Sequence, residues 1–73
     1  MDMDKSKFKD RFKEILHYNG VNQSDLAVKI HVSKQCVSDY KSGKSVPSLE
    51  TLYEICKVLD VSADYLLGLT DEF

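Results

Sequence analysis

The chain is 73 residues long, enough for one domain around one core and too short for a second. Its 42% hydrophobic and 10% aromatic content suits a dense core and excludes a disordered chain, while a net charge of −2 excludes a uniformly basic surface. Its two cysteines, Cys36 and Cys56, lie twenty positions apart and have no Cys or His neighbours at ligand spacing, which gives little support to a zinc site or a disulfide framework and makes reduced thiols the expectation.

Residues 1–6 are polar and charged and are expected to form a flexible arm, with the folded domain at 7–69 and a tail at 70–73. The arm is not the apolar core of a signal peptide, and no run approaches the roughly 18 apolar residues of a membrane span. No membrane partner is expected, and the cytoplasm is the expected location. Lys5 to Tyr18 reads as the first helix: Phe8, Phe12, Ile15 and Leu16 recur at helical spacing, leaving Lys9, Arg11, Lys13 and Glu14 outside. The aromatic pair is read as core. Lys5, Lys7 and Lys9 are read as a solvated face, with contact to a phosphate as the alternative. Asn19 and Gly20 supply a left-handed stop.

Asn22 to Tyr40 carries two short helices at a corner. Asn22 is an N-cap, with Asp25 suiting the dipole of a helix that starts at Gln23. Leu26, Ala27 and Ile30 form its buried face, and Ala27 permits close approach of another helix. His31 and Val32 interrupt the pattern. Ser33 caps the next helix, whose inward positions are Val37 and Tyr40. Lys34, Gln35, Ser38 and Asp39 are thereby left on its polar outer side. Cys36 is read as partly buried between helices.

Lys41 to Pro47 is a loop by composition, with N–H groups expected to be free. Ser48 caps a fourth helix with a stripe of Leu49, Leu52, Ile55, Cys56 and Leu59, in which Cys56 acts as a small buried hydrophobe. Ser62 caps a last helix, Ala63 to Leu69. Its Tyr65, Leu66, Leu67 and Leu69 exceed what a short helix needs for the core. The surplus, together with Phe73, is expected either to close the core or to make a homodimer contact, for which Tyr65, Leu67, Leu69 and Phe73 are the candidates. No segment alternates with period two, and no repeat is present, so the fold is expected to be all-α with about five helices. Charge is segregated: residues 1–20, 21–47 and 48–73 carry +1, +2 and −5. The Asn22–Tyr40 stretch is the basic side of a slightly acidic chain.

Val21 to Leu67 resembles the lambda-repressor-like, Cro/cI or XRE-type helix-turn-helix domain. The resemblance rests on Gln23, Leu26-Ala27, Ile30, Val32-Ser33, Val37-Ser38, Gly43-Lys44, Pro47-Ser48-Leu49-Glu50-Thr51-Leu52 and Val58-Leu59-Asp60-Val61-Ser62. It implies a compact five-helix DNA-binding domain whose second and third helices form the motif, the third entering the major groove. By position, Lys34, Gln35 and Asp39 match base-reading sites: Lys34 suits guanine, Gln35 adenine and Asp39 a cytosine amino group. Asn22, Gln23, Ser38, Ser42, Gly43 and Lys44 fall at backbone-binding positions. Two departures stand out. His31 occupies a site where many relatives have Gly, and Lys41 one where an acid is common.

The function implied is sequence-specific binding of double-stranded operator DNA, as a repressor dimer on a palindrome. An enzyme lacks its parts here: no nucleophile motif, phosphate-binding glycine loop or metal cluster is present, and no cofactor or small-molecule substrate is expected. The remaining rival is a protein-interaction module such as an antitoxin of a toxin–antitoxin pair. That reading calls for an exposed apolar anchor on the third helix, where Lys34, Gln35 and Ser38 stand instead.

Overall fold

Five helices follow one another in the computed structural model, which describes residues 5–72: α1 (Lys5–Asn19), α2 (Gln23–Lys29), α3 (Lys34–Ser42), α4 (Leu49–Leu59) and α5 (Ala63–Leu67). There is no strand among the described residues. The start of every helix after α1 is set by a short polar side chain. Asn22 accepts from the N–H groups of Ser24 and Asp25, Ser33 from Cys36, Ser48 from Thr51 and Ser62 from Tyr65. Helix ends are equally explicit. Gly20 (φ 61°) donates to His17 O and Val21 to Leu16 O at 3.1 and 3.0 Å, the paired bonds of a left-handed stop. Asp60 closes α4 in the same way at φ 54°, without the freedom of a glycine.

The core is assembled around α1, which packs on α3, α4 and α5, while α2 packs on α3. Phe8 and Phe12 stack with ring centroids 5.5 Å apart, and Phe12 meets Tyr40 edge-on at 6.1 Å. Leu26, Ala27, Ile30, Val37, Ile55, Leu59, Val61 and Leu66 complete the cluster. Burying a side chain of this size contributes about 1.5–3 kcal/mol. The α2–α3 corner is thus held from beneath by a continuous apolar floor.

Several expectations need correction. Lys5 and Ser6, assigned to the arm, are the first residues of α1; residues 1–4 lie outside the described residues. Leu49 is not in the α4 stripe: at 83% exposure it stands in solvent, because the first turn of α4 overhangs the core. Cys56 is only half-buried. The last helix stops at Leu67, with Gly68 in the left-handed conformation as its cap.

The chain after α5 is also held in place. Arg11 Nη1 donates to the carbonyl oxygens of Tyr65 and Thr70, and Nη2 pairs with Asp71 Oδ1 at 2.7 Å. The same guanidinium lies 4.3 Å from the centre of the Tyr65 ring. Tyr65 itself is buried, and its hydroxyl donates to Glu14 Oε1. It is a core residue and cannot serve the dimer contact expected of it. Leu67 is half-buried, sharing a small recess of about 50 Å³ with Phe8, Val46, Pro47 and Leu52. Leu69 is 74% exposed, and Phe73 lies outside the described residues.

Candidate nucleic-acid interface

The geometry of the α2–α3 corner starts with its backbone. His31 takes φ 63°, the left-handed region, and lets Val32 N–H turn back to Ala27 O at 3.0 Å. Val32 is packed against the core and Ser33 begins α3 at once. A histidine in this region is strained relative to glycine, and the strain is held by the packing on either side.

With Val37 and Tyr40 buried, α3 presents Lys34 and Gln35 as exposed side chains and Ser38 and Asp39 as half-buried ones. Gln35 Nε2 donates to Asp39 Oδ1 at 2.9 Å, joining two expected base-reading residues one turn apart. Gln23, on α2, holds the start of the same helix. Its Nε2 reaches Lys34 O at 3.4 Å, and its Oε1 accepts from Lys41 Nζ at 3.1 Å. Lys41, the departure at an ordinarily acidic position, therefore finds an amide as its partner. Cys36 is half-buried, with Ser33 Oγ 3.3 Å from its sulfur. Burial, then the neighbouring Cys36 and Asp39, push the Tyr40 hydroxyl above the ordinary tyrosine value.

The loop after α3 differs from the expectation of free N–H groups. Lys44 N–H and Ser45 N–H both point to Asp39 O, at 3.0 and 3.4 Å, Gly43 N–H donates to the same carbonyl, and Ser42 Oγ donates to it at 3.1 Å. These donors close the helix and are not held ready for phosphate. What Lys44 offers outward is its ammonium. Asn22 Oδ1 is likewise committed to capping α2. Gly43 has a second reason to be glycine beyond its φ of 83°: a Cβ there would come within 3.0 Å of Lys9 Cδ. The aliphatic stem of Lys9 lies against Gly43, so α1 brings a lysine to the loop that carries Lys44. Sequence reasoning left Lys9 on a solvated face because no local pattern links residues 9 and 43. Groups of His, Cys, Asp or Glu able to hold a metal do not occur among the described residues.

Two amphipathic helices at a capped corner, the second with a polar outer face flanked by lysines, define a helix-turn-helix protein. Residues 19–66 match the family model described as helix-turn-helix. The chain belongs to the XRE-type helix-turn-helix family of DNA-binding transcriptional regulators, which are not enzymes. It is 32% identical over 62 residues to the HTH-type transcriptional regulator YobD of Bacillus subtilis (strain 168), covering 85% of this chain and 55% of that protein. It is 33% identical over 58 residues to ImmR of the same organism, covering 80% and 46%, and 34% identical over 50 residues to the 26 kDa repressor protein of Escherichia phage HK022, covering 68% and 21%. The chain spans about half the length, or less, of these relatives.

Among solved structures, the fold resembles the SOS-response transcriptional repressor LexA from Eubacterium rectale, with TM-score 0.82 at 19% identity over 92% of this chain and 73% of that one. It also resembles a transcriptional regulator from Listeria innocua, with TM-score 0.80 at 22% identity over 100% and 65%.

Proposed function

We propose that this chain binds double-stranded operator DNA in a sequence-specific way, as a two-fold dimer on a palindrome, and represses transcription by occluding polymerase. The observation that carries the reading is the outer face of α3, polar and hydrogen-bonding, presented by a corner that the core and Ser33 hold in place. Lys34, Gln35 and Asp39 are the base readers. Asn22, Gln23, Ser38 and Lys44 contact the backbone through side chains, joined by Lys9; Ser42 and Gly43, at expected backbone-binding positions, instead close α3 and shape the loop. Affinity is moderate, because the local basic excess is small, and salt-dependent, because that excess works mainly through phosphate. The repressor named among the relatives supports repression as the output. The cytoplasm, where a bacterial or phage operator resides, is the place of action.

Exposed large apolar side chains occur at Tyr18 on α1, Val28 on α2, Val46 before α4, Leu49 and Tyr53 on α4, and Leu69 beyond α5, and not on α3. This favours DNA over a protein partner for the α3 face and leaves Leu69 as the dimer contact. Selection of bound sequences from a random duplex pool tests the proposal. An enriched inverted repeat with half-sites about one helical turn apart is the expected result. Enrichment of a single half-site would overturn the dimer, and no enrichment at all would overturn specific binding.

A further inference from the structure

We infer that Gln35 and Asp39 form one reading unit that selects the exocyclic amino group of cytosine, Asp39 touching the base and Gln35 acting as its positioning residue. The inference rests on the proposed role of α3 as the recognition helix and goes beyond it by coupling the two residues and dividing the work between them.

The starting point is the bond from Gln35 Nε2 to Asp39 Oδ1, 2.9 Å long, between positions one turn apart on a single helical face. A carboxylate accepts hydrogen bonds and has none to donate. The orientation of the Gln35 amide therefore follows from chemistry: its nitrogen must face Asp39 and its Oε1 must face away. One N–H of Gln35 is spent, and the amide plane is tied to the carboxylate. Asp39 has no cation partner among the described residues, where the two ion pairs are Arg11 with Asp71 and Lys57 with Glu54. Its Oδ2 makes no hydrogen bond there either. Asp39 thus brings to the groove an oriented, singly satisfied carboxylate.

In the major groove only two groups can donate to such an acceptor, cytosine N4 and adenine N6. Guanine shows O6 and N7, and thymine shows O4; each sets an acceptor against the carboxylate and leaves it desolvated without a partner. Adenine places its N7 acceptor beside the amino group, so a carboxylate meets repulsion there as well as attraction. Cytosine presents its amino group with no acceptor on the same edge. The order of preference is cytosine, then adenine, with guanine and thymine rejected. This revises the simpler pairing of Gln35 with adenine, in which the amide acts alone.

The test uses the duplex enriched by the wild-type chain, with each cytosine in the half-site replaced in turn by 2-pyrimidinone, which lacks the amino group. Binding is read by fluorescence anisotropy at fixed salt. At one position the wild type is expected to lose on the order of ten-fold or more in affinity. Asp39→Ala should bind both duplexes within about two-fold of each other, and Asp39→Asn should shift the preferred base at that position to adenine, since an amide pairs with the adenine edge. Gln35→Ala should keep the thermal midpoint and the sign of the cytosine preference while shrinking it several-fold. Gln35→Glu, which sets two carboxylates together, should abolish the preference.

Full discrimination retained by Asp39→Ala, or a wild type indifferent to the amino group at every cytosine, would overturn the inference while leaving specific binding intact. Failure of the wild type to enrich any sequence would overturn both.

Discussion

Lys41 Nζ donates to Gln23 Oε1 across the α2–α3 packing, 3.1 Å apart, while the other end of the same amide reaches the first carbonyl of α3. One glutamine thus ties the entry of α2 to both ends of the recognition helix. Gln23→Glu turns the Lys41 contact into an ion pair, worth under about 1 kcal/mol at a partly exposed site. It also places a negative charge at a backbone-binding position and removes the donor to Lys34 O. Stability and function should move in opposite directions: a urea midpoint equal to or above wild type, with affinity for every duplex reduced about ten-fold or more. A parallel rise in both would remove Gln23 from the interface.

His31 is the strained residue of the corner, at φ 63°. Replacing it with glycine relieves the contact of Cβ with its own backbone, and the greater freedom of glycine in the unfolded chain returns part of the gain. His31→Gly should stabilise the domain by about 0.5 kcal/mol, whereas the β-branched His31→Val should destabilise it by more than about 1 kcal/mol. Urea unfolding with an unchanged slope measures both. A more stable valine variant would show that the corner does not depend on the left-handed conformation.

The two lysines beside the α3–α4 loop should act on phosphate alone. Lys9→Ala and Lys44→Ala are each expected to weaken specific and random duplexes by the same factor and to lower the salt slope by about 1. Anisotropy titrations at several salt concentrations read the slope directly. An unchanged slope for Lys9→Ala would return that residue to the solvated face.

Alkaline pH should loosen the fold. The Tyr65 hydroxyl is pushed up by its hydrogen bond to Glu14 and by burial, and burial also raises Tyr40 and the Cys56 thiol. Each group keeps its proton in the folded chain at a pH where the unfolded chain has released it. The folded state then binds more protons, and stability falls as pH rises, from about pH 8.5 for the thiol and about pH 10 for the tyrosines. Below those values the three groups contribute no slope. Tyr65→Phe should cost about 1 kcal/mol near neutrality through the lost bond and make the decline above pH 10 shallower. Urea midpoints between pH 7 and 11 check both parts.

Arg11 holds the Tyr65 carbonyl within α5, and the Thr70 carbonyl and Asp71 carboxylate beyond it. Arg11→Met keeps the stem against Tyr65 but leaves those acceptors without their charged donor, at an expected cost of about 2–3 kcal/mol. Asp71→Ala should cost under about 1 kcal/mol, since its side chain is almost wholly exposed and screened by solvent. Thermal unfolding of the two variants separates the carbonyl contacts from the ion pair.

What could be read from the chain alone was whatever leaves a local trace. Asn22, Ser33, Ser48 and Ser62 each sit directly before an apolar repeat, and each caps the helix assigned to it. Phe8, Phe12, Ile55 and Leu59 are buried as their spacing requires. The Arg11 bonds join residues 54 to 60 positions apart, and an arginine outside an apolar stripe carries no mark of its partner. Tyr65 was hidden for the same reason, because its use depends on Glu14 and Arg11 in another helix. Leu49 has the right spacing but lies in a first turn that overhangs the core, and spacing does not report how far the core extends. The loop N–H groups were legible in principle: a glycine directly after a helix signals the left-handed closure that turns the donors of Gly43 and Lys44 back to Asp39.

The bonds from Arg11 also close a long loop, of up to 60 residues. The entropy of closing a loop of 60 residues is on the order of 3–4 kcal/mol, against a fraction of that for the turn between α2 and α3. Contacts that need such a closure form late in folding and are the first to be released in partial opening. Amide exchange should accordingly run fastest at the two ends of the domain, in the first turn of α1 and after Gly68, while the amides of α2 and α3 exchange only when the whole domain opens. The surface that reads DNA would then keep its shape through the commonest fluctuations of the chain.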